Sequence, residues 1–405
     1  MDNKNMLFIP NRKKRSYFRT SDVVFLVIVT CVVTFNMSFL FSIAKGTNFE
    51  SSENSKHLNE FIKEYNRIVD NYYGDLDEDA LIDGALEGLI DALPDDYSST
   101  LDNSESNNYD THLEGTYEGI GIEIVNDTDN NIIIYSIIEN SPASKADLKV
   151  GDIVKSINGT SLEKTSTSDF VNMIKDDNKD FVIVVERDGK EITNTLRKGK
   201  ITLQSVTSEI IEKNNKKIGY IGISIFAANS YSQFKQQLDT VESANIDGLI
   251  IDVRGNSGGY LSTVTEMLNL FIDSGDVIYQ TEKNGKVTKI KSTMAGTKIY
   301  DIVVLIDGGS ASASEILAAS LSEQCGAKLV GKKTYGKGTV QELITLADGS
   351  QYKYTTKKWL TPKGNWIDGT GIAPDYEVGL DETYIQNPSQ ETDAQLQKAL
   401  ELFNK

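Results

Sequence analysis

Between Gly308 and Gln341 the chain gathers residues that could carry acyl transfer. They are Ser312, within Ser310-Ala311-Ser312-Ala313-Ser314, and Lys337, within Tyr335-Gly336-Lys337-Gly338. An apolar run, Ile302–Ile306, ends at Asp307-Gly308-Gly309, and a helical pattern with Ile316, Leu317, Ala319 and Leu321 follows. A serine on such a strand-to-helix turn is well placed as a nucleophile, because the open N–H groups of the first helical turn point at whatever it attacks. It still needs a base. The two histidines, His57 and His112, lie far from this stretch in sequence, which makes a lysine the most economical base.

Two plainer readings use the same residues. Ser312-Ala313-Ser314-Glu315 fits the S-x-x-E capping box, in which Ser312 is an ordinary helix N-cap. Gly331 to Lys337 spells most of the phosphate-binding loop G-x-x-x-x-G-K-[ST]. Gly338 stands where the magnesium-holding hydroxyl belongs, however, and Thr339–Leu346 reads as a strand where such a loop opens a helix. The nucleotide reading is rejected.

The wider pattern is more specific. GGSASASEILAASL, then TYGKGTVQ, then DGSQYKYTTKKWLTPKGNWIDGTGIAPD together resemble the carboxy-terminal processing peptidases, also called tail-specific proteases, which are serine peptidases with a Ser–Lys dyad. The resemblance implies Ser312 as nucleophile, Lys337 as base and Gln341 as the group that orients the amine; it implies no metal and no organic cofactor. Asp252-Val253-Arg254-Gly255-Asn256-Ser257-Gly258-Gly259 matches the family's D-x-R-x-N-x-G-G, which implies half of an oxyanion hole. The amide of Gly258 or Gly259 would be one donor and that of Ala313 the other, with Arg254 and Asn256 holding the loop. A lysine acts as a base only when neutral, so its ordinary pKa near 10.4 must fall to roughly 7–8, an ~4 kcal/mol bias against the charged form. That requires Glu315 and Glu342 to point away from the amine.

The elements around these residues follow from composition and spacing. At 405 residues and 39% apolar content the chain holds two or three domains. The net charge is −18; residues 1–20 contribute +5, so the remainder carries −23. A body so acidic excludes nucleic acid as a partner. Cys31 and Cys325 offer no disulfide framework. Val23–Ala44 is uncharged for 22 residues and follows the basic cluster NRKKRSYFR. Length and flanking charge predict a cytoplasmic segment (1–20), an uncleaved signal anchor (21–44) crossing the cell membrane once, and an extracytoplasmic body. A cleaved signal peptide is the competing reading.

Residues 45–110 read as a helical N-terminal arm, with Leu58, Phe61, Ile62, Tyr65, Ile68, Val69 and Tyr72 at helical spacing and a second helix through Leu81–Leu93. The resemblance makes this arm non-catalytic, an element for packing or for a homodimer. Residues 113–198 hold strands at Glu118–Val125, Ile132–Ile138 and Phe181–Arg187 with a turn at Asp188-Gly189, and look like a PDZ domain. Gly119-Ile120-Gly121-Ile122 stands where such domains bind a terminal carboxylate, and consecutive N–H groups there suit that role. From 199 to 380 strands and helices alternate, predicting an α/β core with a largely parallel sheet and a site at its strand ends. A helical tail (381–405) would pack on the arm or on a second subunit. The expectation is therefore a membrane-anchored α/β serine endopeptidase that trims polypeptides with free C-termini. Its rival is a catalytically silent PDZ scaffold.

Overall fold

The computed structural model describes residues 53–176, 180–295, 298 and 300–404. The expected anchor at 21–44 lies outside them; among the described residues no helix is long and apolar enough to cross a membrane. The chain divides into two compact units, residues 1–86 and 87–405. In the first, α1 (Glu53–Asn71) and the start of α2 (Glu78–Asp91) form where the helical spacing predicts. Asp77 caps α2 by accepting from the Ala80 N–H at 3.1 Å, which satisfies one of the donors that a helix start leaves open. Phe61, Ile62 and Ile68 along α1 are exposed.

The second unit opens with β1 (Ser99–Leu101) and α3 (Asn103–Glu114). There follow β2 (Thr116–Gly119), β3 (Ile122–Asn126), β4 (Ile132–Ile137), β5 (Ile153–Ile157), β6 (Thr160–Ser161), α4 (Thr167–Asp176), β7 (Phe181–Arg187), β8 (Lys190–Leu196) and β9 (Gly199–Thr202). Strands β3-β4-β5-β7-β8 make an antiparallel sheet, with β6 beside β5. The single strand expected over Glu118–Val125 is broken at Ile120-Gly121. Gly121 takes φ +79°, and Ile120 turns inward to join Ile132, Ile134 and Phe181 in the local core. Strand β2 then pairs with β9 instead of continuing the sheet. Asp188-Gly189, both at positive φ, close the β7–β8 hairpin as expected.

The remaining portion, expected to be the catalytic one, comprises β10 (Val206–Lys213), β11 (Lys216–Ile223), α5 (Ser230–Ser243), β12 (Gly248–Asp252), α6 (Leu261–Leu268), β13 (Val277–Lys283), β14 (Lys286–Lys291), β15 (Asp301–Ile306), α7 (Ala313–Cys325), β16 (Lys328–Gly331), β17 (Thr339–Thr345), β18 (Gln351–Leu360), β19 (Tyr376–Glu377), α8 (Glu382–Gln386) and α9 (Ala394–Leu402). One sheet runs β10-β11-β12-β15-β16-β19, parallel from β11 onward. Side chains alternate across it. Leu249, Ile251, Val304 and Ile306 share a core with α5, α6 and α7, whereas Ile250, Val303 and Leu305 pack against Leu396, Ala399, Leu400 and Phe403. The tail helix α9 therefore covers this chain's own sheet, and the expectation that it packs on the arm or a second subunit is corrected. Each such buried aliphatic side chain contributes about 1.5–3 kcal/mol. The expected single sheet also gains a companion, the antiparallel β1-β18-β13-β14 with β17 on β18. Hairpins at Asn284-Gly285 and Asp348-Gly349 build it, and short hairpins can only make antiparallel pairs.

Candidate active site

Strands β12 and β15 are parallel neighbours, with Asp252 level with Leu305, so the loops after them emerge side by side. Three side chains and one backbone bond knit those loops together. Asp307 Oδ1 accepts from the Gly255 N–H at 2.9 Å, Ser310 Oγ donates to the Val253 carbonyl at 2.8 Å, and Ser314 Oγ donates to the Asn256 carbonyl at 2.7 Å. The Ala311 N–H donates to the same Asn256 carbonyl at 3.0 Å. Ser310 and Ser314 are thus buried and committed, leaving Ser312 as the half-exposed serine of the run. Its backbone is strained, at φ +52° and ψ −111°, a combination a β-carbon-bearing residue seldom adopts. Glu315 supplies one half of a capping box, its Oε2 accepting from the Ser312 N–H at 2.9 Å. The other half falls short of a hydrogen bond, because the Glu315 N–H donates to the Ser312 carbonyl at 2.9 Å instead. The plain N-cap reading of Ser312 therefore holds for its backbone and leaves its hydroxyl unspent.

The loop Asp252–Gly259 passes directly over this turn. A β-carbon at Gly258 would lie 2.9 Å from that of Ser312 and 3.2 Å from the Ala313 nitrogen, so only glycine fits. One expected donor must be corrected: the Gly258 N–H donates to Asn256 Oδ1 at 2.8 Å, inside the loop. The N–H groups of Gly259 and Ala313 have no acceptor among the described residues. Asn256 is buried and holds the loop as expected, its Nδ2 donating to the Ile223 carbonyl at 2.9 Å. Arg254 also serves the loop, bridging Asp252 at 2.6 Å and Asp393, the N-cap of α9, at 2.9 Å.

Lys337 precedes β17. Gly338 lies where a β-carbon would meet the Asp368 nitrogen at 2.7 Å, so the Gly-Lys-Gly turn presses against the 366–371 loop. The lysine backbone is held at both ends: its N–H donates to Glu315 Oε2 at 2.9 Å and its carbonyl accepts from Trp359 Nε1 at 2.6 Å. Glu315 thereby binds the backbone of the lysine turn, while Glu342 faces Lys357 at 3.5 Å; among the described residues neither makes an ion pair with the Lys337 ammonium, although Glu315 stays close enough to favour its charge. Lys337 Nζ lies 4.8 Å from the centre of the Tyr97 ring. Burial, aided by the neighbouring cation of Lys353 and opposed by Asp95 and Glu315, lowers the Lys337 pKa to about 8. Burial raises the Glu315 carboxyl, while the Thr334 hydroxyl and the N–H groups of Lys337, Gly336 and Ser312 pull it the other way.

Ser312, Lys337 and Gln341 line one cleft of about 780 Å³ together with Gly258 and Gly259. No hydrogen bond joins Ser312 to Lys337 among the described residues, and such contacts commonly tighten only around substrate. Gln341 does not touch Lys337 either; its Nε2 donates to Thr339 Oγ1 at 2.9 Å and Thr355 Oγ1 at 3.0 Å. The cleft also contains His112, from the last turn of α3. Distance in sequence thus does not keep His112 from the cleft, because the end of α3 is tied to the sheet portion where the Ala228 N–H donates to the Leu113 carbonyl at 2.8 Å and Asn229 Nδ2 to the Gly115 carbonyl at 2.7 Å. Tyr97 and Lys353 were likewise missed. Tyr97 falls within the expected non-catalytic arm, and β1 pairing with β18 is what carries it to Lys337. A half-buried amine, a strained serine and the open N–H of Gly259 share one cleft, with the open N–H of Ala313 next in the chain to Ser312, and such a set can perform nucleophilic acyl transfer.

In the PDZ-like portion, β3 is an edge strand with α4 packed beside it. The carbonyls of Ile120 and Gly121 are occupied, accepting from the N–H groups of Ala143 and Ile138, each at 2.9 Å. The N–H groups of Ile120 and Gly121 have no acceptor among the described residues. Gly119 ends β2 and Ile122 begins β3, so the four residues of the expected carboxylate loop form one turn.

Comparison with known proteins agrees with this architecture. Residues 217–378 match peptidase family S41, 110–186 match the PDZ domain, and 37–105 match the N-terminal domain of the activating protease CtpB. The carboxy-terminal processing protease CtpB of Bacillus subtilis (strain 168) is 36% identical over 343 residues, covering 84% of this chain and 71% of that protein. CtpA of the same organism, also a carboxy-terminal processing protease, is 34% identical over 382 residues, covering 93% and 80%. Among solved structures, the photosystem II D1 C-terminal processing protease aligns with a TM-score of 0.48 at 22% identity, over 82% of this chain and 88% of that one. With such identity across most of both chains, this protein belongs to the serine-type carboxy-terminal processing proteases of peptidase family S41.

Proposed function

We propose that this protease works through a Ser312–Lys337 dyad and is guided to its substrates by its PDZ domain while anchored in the cell membrane. Neutral Lys337 takes the proton of Ser312 Oγ as that oxygen attacks the scissile carbonyl. The N–H groups of Gly259 and Ala313 hold the resulting oxyanion. The ammonium then returns its proton to the leaving amine, and water, deprotonated by the same lysine, hydrolyses the Ser312 ester. Gln341 orients the amine. The observation that carries this reading is the strained, half-exposed Ser312 in one cleft with a lysine whose charge burial disfavours.

The unpaired N–H groups of Ile120 and Gly121, beside the open edge of β3, support capture of a free carboxylate with the peptide added as a strand. The anchor is supported by the uncharged Val23–Ala44 and the basic cluster before it, which put the body outside the cytoplasm. The exposed apolar residues of α1 favour pairing of two copies through the arm. A silent scaffold is not favoured, because Ser312, Lys337 and Gln341 are all in place. Digestion of casein by the wild-type chain and by Ser312→Ala, with terminal sequencing of the products, tests the reading. The variant should lose all cleavage while keeping its melting temperature, since the Ser312 hydroxyl makes no cap hydrogen bond that its loss would break. An active Ser312→Ala protein would end the proposal.

A further inference from the structure

Gln341 has two ends, and only one can serve a lysine amine. Its Nε2 donates to Thr339 Oγ1 and Thr355 Oγ1, and its Oε1 accepts no hydrogen bond among the described residues. What decides this orientation lies outside the catalytic portion. Thr355 Oγ1 donates its proton to Asp95 Oδ1 at 2.9 Å. Asp95 is itself held in a tight turn, accepting from the Tyr97 and Ser98 N–H groups, each at 3.0 Å, and from Ser98 Oγ at 2.8 Å. Ser98 Oγ in turn accepts from the Thr355 N–H at 3.1 Å, so the turn grips both ends of that residue.

The chemistry of the chain runs one way. An ionised carboxylate only accepts hydrogen bonds, so it claims the single proton of the Thr355 hydroxyl. Only lone pairs then face Gln341, and only its amide nitrogen can satisfy them. The register completes the device: a bulge between Val340 and Gln341 skips Thr356 and sets Gln341 directly opposite Thr355. Asp95 keeps its charge, because although burial raises its carboxyl, the Ser98 and Thr355 hydroxyls and the two turn N–H groups outweigh that and lower it. The same turn brings the Tyr97 ring against Lys337 Nζ.

We propose that the Asp95–Ser98 turn is a positioning element of the catalytic centre, in which Asp95 orients Thr355, Thr355 orients Gln341, and Gln341 presents Oε1 to the Lys337 amine. The inference rests on the Ser–Lys reading and adds residues that precede the matched peptidase region, 217–378, to its active site. Charged groups facing Lys337 are Lys353, Asp95 and Glu315. Of these only Asp95 joins the Gln341 relay.

A double-mutant cycle on the full chain tests it, using a peptide substrate and separate kcat and KM values. Thr355→Val should lower kcat about 10- to 100-fold with KM little changed, as a small misplacement of a catalytic group does. Thr355→Ser should recover most of the loss, because the hydroxyl returns. In a Gln341→Ala background, Thr355→Val and Asp95→Ala should cost nothing further, whereas a merely structural effect would multiply with the first. Additive losses, or wild-type kcat in Thr355→Val, would overturn the relay while Ser312→Ala and Lys337→Ala remained inactive. Activity in those last two variants would instead overturn the dyad.

Discussion

A lysine base must be uncharged when it acts, and that requirement decides what its neighbours can be. Half-buried Lys337, with a pKa lowered to about 8, is mostly protonated at neutral pH and loses its proton just above it. With the neutral amine as the proposed base, kcat should be low below pH 7 and rise to a plateau above about 9, read from a pH–rate profile. Lys337→Arg should be as inactive as Lys337→Ala, since guanidinium keeps its proton throughout. His112 shares the cleft, so the same assay discriminates it: His112→Ala should retain most of the rate. Full activity in Lys337→Arg together with an inactive His112→Ala would transfer the role to the imidazole. Ser310 and Ser314 belong to a different class, because their hydroxyls satisfy the Val253 and Asn256 carbonyls. Their alanine variants should be less stable by about 1–3 kcal/mol yet still cut, which a thermal melt beside the casein assay would show.

At the scale of elements, the site depends on three loops held by parts of the chain far apart in sequence. The Asp252–Gly259 loop is tied to the tail through Arg254 and Asp393, whose side chains are 14% and 5% exposed. Asp393→Ala removes both the α9 cap and a charged partner, and should lower the unfolding free energy by about 1.5–3 kcal/mol in urea titration. It should also reduce kcat, because the loop that carries Gly259 loses a support. Unchanged stability would mean that Asp252 alone suffices for Arg254. In the PDZ domain, the turn at Gly119–Ile122 presents its N–H groups because its carbonyls are occupied elsewhere. A peptide with a free C-terminus should therefore be cut faster than its amidated form. Equal rates would remove the carboxylate role without touching the peptidase.

For the whole molecule, the charge distribution and the uncharged run at 23–44 lead to one further expectation. The chain should sediment with membranes, resist alkaline extraction, and expose its body to added protease only from the outer face. Recovery in the soluble fraction, with a new N-terminus after residue 44, would establish a cleaved leader instead.

Much of this protein was legible in sequence because the evidence was local. Helical spacing located α1 and α2 to within a few residues, Asp188-Gly189 named its hairpin, and the S-A-S-A-S and G-K-G blocks drew attention to Ser312 and Lys337. Phosphate binding failed at a single position, Gly338, and β17 does begin there in place of a helix. Tertiary structure decided the rest. Which of Gly258 and Gly259 keeps a free N–H depends on where Asn256 Oδ1 swings, and no composition encodes that. Tyr97 and Asp95 entered the site because β1 pairs with β18, and His112 because the end of α3 is tied to Ala228 and Asn229, contacts across about 250 and about 115 residues of chain. Spacing reports which neighbours share a face of one helix or strand. Only the folding of separate elements onto one another brings an aspartate before the PDZ domain to a threonine near the end of the catalytic portion.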